Sequence, residues 1–449
     1  MSEDKALLLG REKTGKLLRQ YAMPAIVAMI ASSLYNIVDS IFIGQKLGAL
    51  AISGLALTFP FMNLAAAFGT LVGVGASTLL SIRLGQKDYC SARMVLGNVV
   101  LLNIIFGLSF SVLTLPFLTH ILYLFGGSEA TIEYARSFMF IILIGNVFTH
   151  LYFGLNAILR ASGHPQKAMY VTIFSVIINI VLDALFILVF DWGIAGAAWA
   201  TVIAQFSALL WLVTIFLKRN KVLYFSREIF RLKKKIVVDA LSIGLSPFLM
   251  NTAACFVVIL INFSLRKYGG DLAIGAYGII NRVGFVFVMI VLGLTQGMQP
   301  IVGYNYGAKL YPRVLEVLKK GIKVGVIVMT IAFILVEIFP YSISRAFTSD
   351  ETLIGIAVKG FRIVFCLFPI IGFQMVSSNF FQSIGQAKKA IFLSLTRQVI
   401  VLIPLLFFLP HFFGVEGVWI SMPIADLVST IITAILIIKQ VKYFERLSV

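Results

Sequence analysis

The chain has 449 residues, 60% of them hydrophobic and only 12% charged, with a mean hydropathy of +0.99. Soluble domains carry roughly 25% charged residues, so this composition excludes an ordinary water-soluble fold and defines a polytopic membrane protein. The formal charge of +18 does not require nucleic acid, because basic residues of such proteins crowd the loops on one side of the bilayer.

Residues 1 to 20 are polar and charged, and the first apolar run is already of spanning length. A cleavable signal peptide is therefore not expected, and the N-terminus is placed in the cytoplasm. Twelve runs long enough to cross a bilayer, which takes about 20 residues, fall at 18–43, 52–82, 94–118, 134–159, 167–190, 194–217, 237–265, 273–302, 321–341, 353–381, 390–411 and 416–438. The first run carries Pro24 near one end and Asp39 near the other. Ser32, Tyr35 or Asn36, and Asp39 recur at i, i+3/i+4, i+7 and form one polar stripe on an oily helix. A charged side chain at membrane depth costs about 3 kcal/mol on lenient scales and marks an ion or substrate path. The alternative is that Asp39 lies close enough to the helix end to reach interfacial water. Pro24 removes a backbone hydrogen bond and should bend its helix.

The fifth run holds Asn179 and Asp183 at i, i+4, with Thr172 and Ser175 extending the stripe, and the sixth holds Thr201 and Gln205. If these stripes face inward together, Asp39, Asn179, Asp183 and Thr201 supply two carboxylates, an amide oxygen and a hydroxyl. Such oxygen donors suit a hard cation such as Na⁺, and two desolvated carboxylates equally suit a proton. For Asp183 alone, the competing reading is a hydrogen bond between helices. Two acids in one half of the chain favour the functional reading.

Lys218 to Lys235 is the one long polar connection, close to the chain midpoint. Around it the sequence repeats. At an offset of 222, Gly75, Gly85, Lys87, Gly163, Lys167 and Ala168 meet Gly297, Gly307, Lys309, Gly385, Lys389 and Ala390; at 223, Pro24 meets Pro247; at 221, Gly193 and Gly196 meet Gly414 and Gly417. The expected fold is all-α, with an N-lobe of six helices over 1–217, a cytoplasmic linker over 218–235 and a C-lobe of six helices over 236–449. Six helices per half make the repeats parallel, with a substrate path between them. Of the 37 Lys and Arg, 29 fall in connections on one side and 7 on the other, which places both termini in the cytoplasm and the basic loops against acidic lipid headgroups.

The second half is not a chemical copy of the first. Asn262 stands where Asp39 would be, and Pro404 or Leu405 stands opposite Asp183. Asp426 is its one deep carboxylate, expected to pair with Arg282 or Arg397, with a substrate contact left open. Gly69, Gly73 and Gly75, like Gly293 and Gly297, have the small-residue spacing of close helix contacts. Cys90, Cys255 and Cys366 are scattered, indicating neither a disulfide framework nor a metal site. No phosphate loop and no nucleophile constellation is present, so an ATP-driven pump or an enzyme is not expected.

Asn156 to Ala168 (NAILRASGHPQKA), Gly193 to Gln205 (GIAGAAWATVIAQ), Pro300 to Ala308 (PIVGYNYGA) and the region of Asp39 resemble the multidrug and toxic compound extrusion (MATE) transporters. The similarity runs from about Gln20 to Lys442 and is greatest to the DinF branch. It implies a V-shaped pair of six-helix lobes exporting amphipathic, often cationic drug-like compounds by alternating access in exchange for H⁺ or Na⁺, with no other cofactor. By the same resemblance Asp39, Asn179, Asp183 and Thr201 are the coupling residues, Tyr35, Asn36 and Asn156 lie near them, and Pro24 is the bend in the first helix. Another branch of the family carries acids in helices 7 and 10; here those helices offer Asn251, Asn262, Gln374, Ser377 and Asn379 but no deep carboxylate. The expected setting is a cytoplasmic or inner cell membrane, as a monomer among membrane lipids and without nucleic acid. The alternatives are a lipid-linked oligosaccharide flippase of the same superfamily, recognisable by a strongly basic lateral cavity, and a non-transporting receptor or channel.

Overall fold

The computed structural model describes residues 3–125, 127–218 and 222–448, and these are helical with no strand among them. After a short helix, Glu3–Arg11, come α1 (Thr14–Leu47), α2 (Ala49–Gly85), α3 (Tyr89–Leu124, with a 3-10 turn at Leu115–Phe117), α4 (Glu129–Ala161), α5 (Pro165–Val189) and α6 (Gly193–Leu217). The next helix, Lys234–Gly307, holds 74 residues, about 111 Å at 1.5 Å per residue and far more than one bilayer crossing needs. It is two helices, α7 (234–269) and α8 (271–307), parted at Gly270, whose φ of 68° is open to a residue without Cβ. Then follow α9 (Tyr311–Ile338) and α10, which is bent by 52° between Glu351–Phe365 and Phe368–Ser383. Gly414, with φ 56°, divides the last 60-residue stretch, Ala387–Arg446, into α11 (387–413) and α12 (415–446).

Twelve spans result among the described residues, as hydropathy predicts, with one correction in shape. The tenth run is not a straight helix over 353–381, because Pro369 at the start of its second half has no N–H for the ladder. Within the spans the usual burial pattern is inverted: on α3, Asn98, Asn103 and Ser111 are buried while Ile105, Leu108 and Val112 are exposed. That arrangement suits a lipid surround, which cannot satisfy polar groups.

The chain packs as two compact units, one of Met1–Glu12 and Val27–Phe248, the other of Lys13–Ile26 and Leu249–Val449. The path changes unit inside α1 and inside α7, in each case within two residues of a proline, Pro24 and Pro247. In the first unit, α7 meets α2 backbone to backbone: a Cβ on Gly75 would lie 1.9 Å from the Ala240 carbonyl oxygen, and one on Gly244 1.7 Å from that of Leu71. In the second, the start of α1 lies on α8 in the same way, with Gly293 against Ile26 and Gly297 against Ala22. These are the close contacts that the small-residue spacing predicts.

Of the connection 218–235, residues 219–221 lie outside the described residues. From 222 onward it is tied to α3: the Asn98 amide donates to the Arg231 carbonyl at 3.1 Å and accepts from the Lys233 N–H at 3.0 Å, and Arg93 donates to the Tyr224 hydroxyl at 2.8 Å. At the start of α3, Asp88 accepts the Ser91 N–H at 3.0 Å, and hydrogen bonding from the Ser91 side chain, then from this N–H, holds its carboxyl below the usual range. A carboxylate held low contributes stability above its unfolded pKa, lost as pH falls through the lower folded value. Asp88→Ala should lower stability by about 1 kcal/mol at neutral pH, and denaturation of the purified protein at pH 7 checks it.

Candidate functional site

The polar residues of α1, α5 and α6 in the first unit converge. On α5, the i, i+4 spacing puts Asn179 and Asp183 on one buried face, 3% and 0% exposed. Asp39 of α1 and Thr201 of α6 are buried as well. Gly196 lets α6 approach closely: a Cβ there would lie 3.0 Å from that of Phe186 and 3.2 Å from its carbonyl oxygen. The Asn179 side-chain N–H donates to the Thr201 hydroxyl at 3.4 Å. The carboxyl groups of Asp39 and Asp183 adjoin one another.

What distinguishes the cluster is what its oxygens lack. Oδ1 of Asp39, both carboxyl oxygens of Asp183 and Oδ1 of Asn179 are all buried without a hydrogen-bond partner among the described residues. Buried polar groups are otherwise nearly always paired, and a buried unpaired carboxylate is more costly still. Two adjoining carboxyls and an amide oxygen, all acceptors, suit a proton or a small cation between them. An oxygen-only donor set fits a hard cation and does not fit a soft one. The turn just after Asp183 is a π-helix, Ala184–Val189, a local widening often found at functional sites.

Of the expected neighbours, Tyr35 sits one turn before Asp39 on α1 and is half-buried. The side chain of Asn36 lies outside the described residues. Asn156 is in a separate network: its N–H groups donate to the Ala168 carbonyl at 3.0 Å and the Thr172 hydroxyl at 3.3 Å, and the Tyr152 hydroxyl donates to Thr172 at 3.2 Å. Thr172 precedes Asn179 by seven residues, about 10 Å along α5. Asn156 therefore ties α4 to α5 beside the acidic cluster rather than within it. Pro24 stands inside α1, which runs unbroken from Thr14 to Leu47.

Two further residues escaped the sequence reading. Thr149 of α4 donates to Oε1 of Gln205 on α6, and buried His150 holds the Ala65 carbonyl of α2 at 3.0 Å. Both lie on α4 one turn after buried Asn146, a polar run at i, i+3/i+4 that could have signalled them. In the second unit, Asp426 pairs with Arg397 rather than Arg282, Nε to Oδ1 at 2.5 Å.

Twelve apolar helices in two repeated halves, with a buried acceptor cluster in one of them, define a polytopic membrane transporter. The MatE family model matches residues 24–185 and again 247–408, so that each copy begins at one of the paired prolines. The multidrug export protein MepA of Staphylococcus aureus (strain N315) is 28% identical over 426 residues, covering 95% of this chain and 94% of its own. Among solved structures, the MATE multidrug transporter DinF-BH, seen in complex with a dye, is 37% identical, with a TM-score of 0.89 over 96% of both chains. An outward-facing multidrug resistance MATE family transporter of the MOP superfamily has the same fold, with a TM-score of 0.93 over 98% of both chains at 23% identity. The chain belongs to the MatE family, whose members are membrane transporters and not enzymes.

Proposed function

We propose that this protein exports amphipathic, often cationic small molecules from the cell, driven by entry of H⁺ or Na⁺ that binds at Asp39, Asn179, Asp183 and Thr201. The observation that carries the coupling role is the set of four buried oxygens without a hydrogen-bond partner among the described residues, which a proton or a hard cation would satisfy. The multidrug export role rests on the relatives: MepA is named for it, and DinF-BH is seen with a dye bound. The charge asymmetry of the loops supports cytoplasmic termini in a cell membrane.

An ion drives transport only through a difference in its affinity for two conformations. Binding at Asp39 removes the cost of the unpaired carboxyls, and so favours whichever packing of α1 keeps Asp39 against Asp183. Pro24 lies 15 residues earlier, about 22 Å along the same helix, where a missing hydrogen bond makes bending least costly. The test is ethidium efflux from proteoliposomes under a pH gradient and, separately, a Na⁺ gradient. Efflux that follows the pH gradient alone assigns the cluster to a proton, and efflux that needs Na⁺ assigns it to the cation. Ethidium retention under both gradients overturns the reading.

A further inference from the structure

The polar connection between α6 and α7 takes no part in the coupling cluster, yet it is fixed to the first unit at several points. A Cβ on Gly97 of α3 would lie 2.1 Å from the Ile229 carbonyl oxygen, so the connection presses on α3 backbone to backbone. Next to it, Asn98 holds both the Arg231 carbonyl and the Lys233 N–H, and Leu223 and Ile229 are buried. The Phe225 N–H donates to the Phe216 carbonyl at the end of α6 at 3.0 Å, and the rings of Phe216, Phe225 and Phe230 follow one another at 5.7 and 5.9 Å.

These contacts set a depth. Asn98 lies nine residues after Tyr89, where α3 begins, which is about 14 Å along the helix. The apolar run of α3 starts at 94, so residues 229–233 lie beside the first turns of the spanning segment, at the boundary between headgroups and acyl chains. Phe230 and Leu232 are 39% and 51% exposed there, which costs free energy in water and is favourable against lipid. Around them stands charge of one sign. Arg227, Arg231, Lys233, Lys234 and Lys235 are all exposed, and their side chains have no hydrogen bond or ion pair among the described residues. Glu228 is the one acid of 227–235, the first turn of α7 holds none, and Asp239 beyond it faces Arg83 of α2 at 3.9 Å.

We propose that residues 227–235 form a binding surface for an anionic phospholipid, with Phe230 and Leu232 in the acyl region and Arg231, Lys233, Lys234 and Lys235 on the headgroup phosphate. Charge complementarity selects the occupant: five cations against one acid attract a phosphate, and two apolar side chains at the same place require that the phosphate carry acyl chains. The charge asymmetry of the loops gives only a general attraction to acidic lipid. The dock on Gly97 and Asn98 makes this segment a preformed site, because it holds the backbone at a fixed depth before any lipid arrives. The assignment is independent of which ion or compound the protein carries.

The probe is the full-length protein with Phe230→Trp, reconstituted in phosphatidylcholine vesicles containing a small fraction of either brominated phosphatidylglycerol or brominated phosphatidylcholine. Quenching at residue 230 is read as the difference from the parent chain, whose 4 tryptophans are common to both. Half-quenching should need at least about fivefold less of the anionic lipid than of the neutral one, the effect of a single basic side chain at a membrane surface. Arg231→Gln, Lys233→Gln, Lys234→Gln and Lys235→Gln together should abolish that preference without loosening the segment, because Asn98 bonds its backbone and not those side chains. Asn98→Ala keeps every charge and frees the backbone, and should reduce the preference at least about twofold, as loss of a fixed depth requires. An undiminished preference in Asn98→Ala would show a diffuse attraction to a basic loop and overturn the site. Equal quenching by the two lipids, no quenching by either, or a preference that survives the four glutamines overturns it as well. Inorganic phosphate at constant ionic strength should leave the quenching unchanged; relief of quenching by phosphate would mean a soluble-anion site in place of a lipid surface, and the proposal fails.

Discussion

Asp183→Asn is expected to abolish export, with ethidium efflux falling at least 100-fold to the rate of protein-free vesicles, while the protein remains folded and no less stable. The reasoning rests on two opposed effects of one substitution. The side chain sits fully buried against the Asp39 carboxyl, where an asparagine N–H can donate as a protonated carboxyl would, so the change removes no hydrogen bond that it does not replace. Asparagine has nearly the same shape and brings two N–H donors to a place where Oδ1 of Asp39 and Oδ1 of Asn179 have none. Satisfying a buried acceptor is worth about 1–3 kcal/mol, so the melting temperature should hold or rise. Transport responds in the other direction, because an amide neither takes up nor releases a proton and is a poorer cation ligand than a carboxylate. Asp39→Asn should behave alike, and the double variant should lose nothing further, since the two carboxyls act as one unit. Efflux and thermal unfolding measured on the same preparations decide it. Wild-type export by either variant would sink the coupling role, whereas loss of both export and folding would mean that the cluster is structural.

What was legible in the sequence follows from which interactions are local. Hydropathy marks each span because lipid imposes the same demand on every one, and the i, i+4 relation of Asn179 and Asp183 is a property of one helix. The repeat was legible at Pro24 and Pro247, and the family match begins at both. Properties set by packing between helices were not. No pattern in α5 or α11 announces the π-turns at Ala184–Val189 and Thr396–Leu402, since an i→i+5 ladder uses the same residue types as an α-helix. The choice of Arg397 over Arg282 for Asp426 is a matter of which helices are adjacent. Asn156, conspicuous in the motif NAILRASGHPQKA, proved to tie α4 to α5 at Thr172, about three turns along α5 from Asp183. The bend in α10 had a visible cause in Pro369 but no visible consequence, because prolines are also tolerated in straight membrane helices. Most telling is the boundary between units. Composition points to the polar connection at 218–235, yet packing divides the chain inside α1 and α7, where glycines on α8 and α2 draw those helices in.

That glycine contact supports the second large expectation: Gly297→Leu should destabilise the protein by about 3 kcal/mol or more, at the upper end of overpacking effects, and abolish export with it. A Cβ at position 297 would lie 2.5 Å from both N and Cα of Ala22 and 2.6 Å from the Tyr21 carbonyl carbon. These are backbone atoms of α1, with no side-chain end free to swing away, so the helix itself must move. Gly293→Leu should act in the same way, since its Cβ would meet Cα of Ile26 at 2.6 Å. The two glycines thus hold the stretch of α1 on either side of Pro24, and displacing it disturbs the helix that carries Asp39 at its other end. Gly278→Leu, on the same α8, is the control: nothing lies within 4 Å of a Cβ there, and helix propensity favours leucine over glycine by up to about 1 kcal/mol. Thermal unfolding in detergent should separate 293 and 297 from 278. Ala22→Gly should not rescue Gly297→Leu, because the atoms in the way belong to the backbone and remain when the methyl group is removed; rescue would mean that side-chain packing, and not the approach of the two backbones, holds α1 to α8.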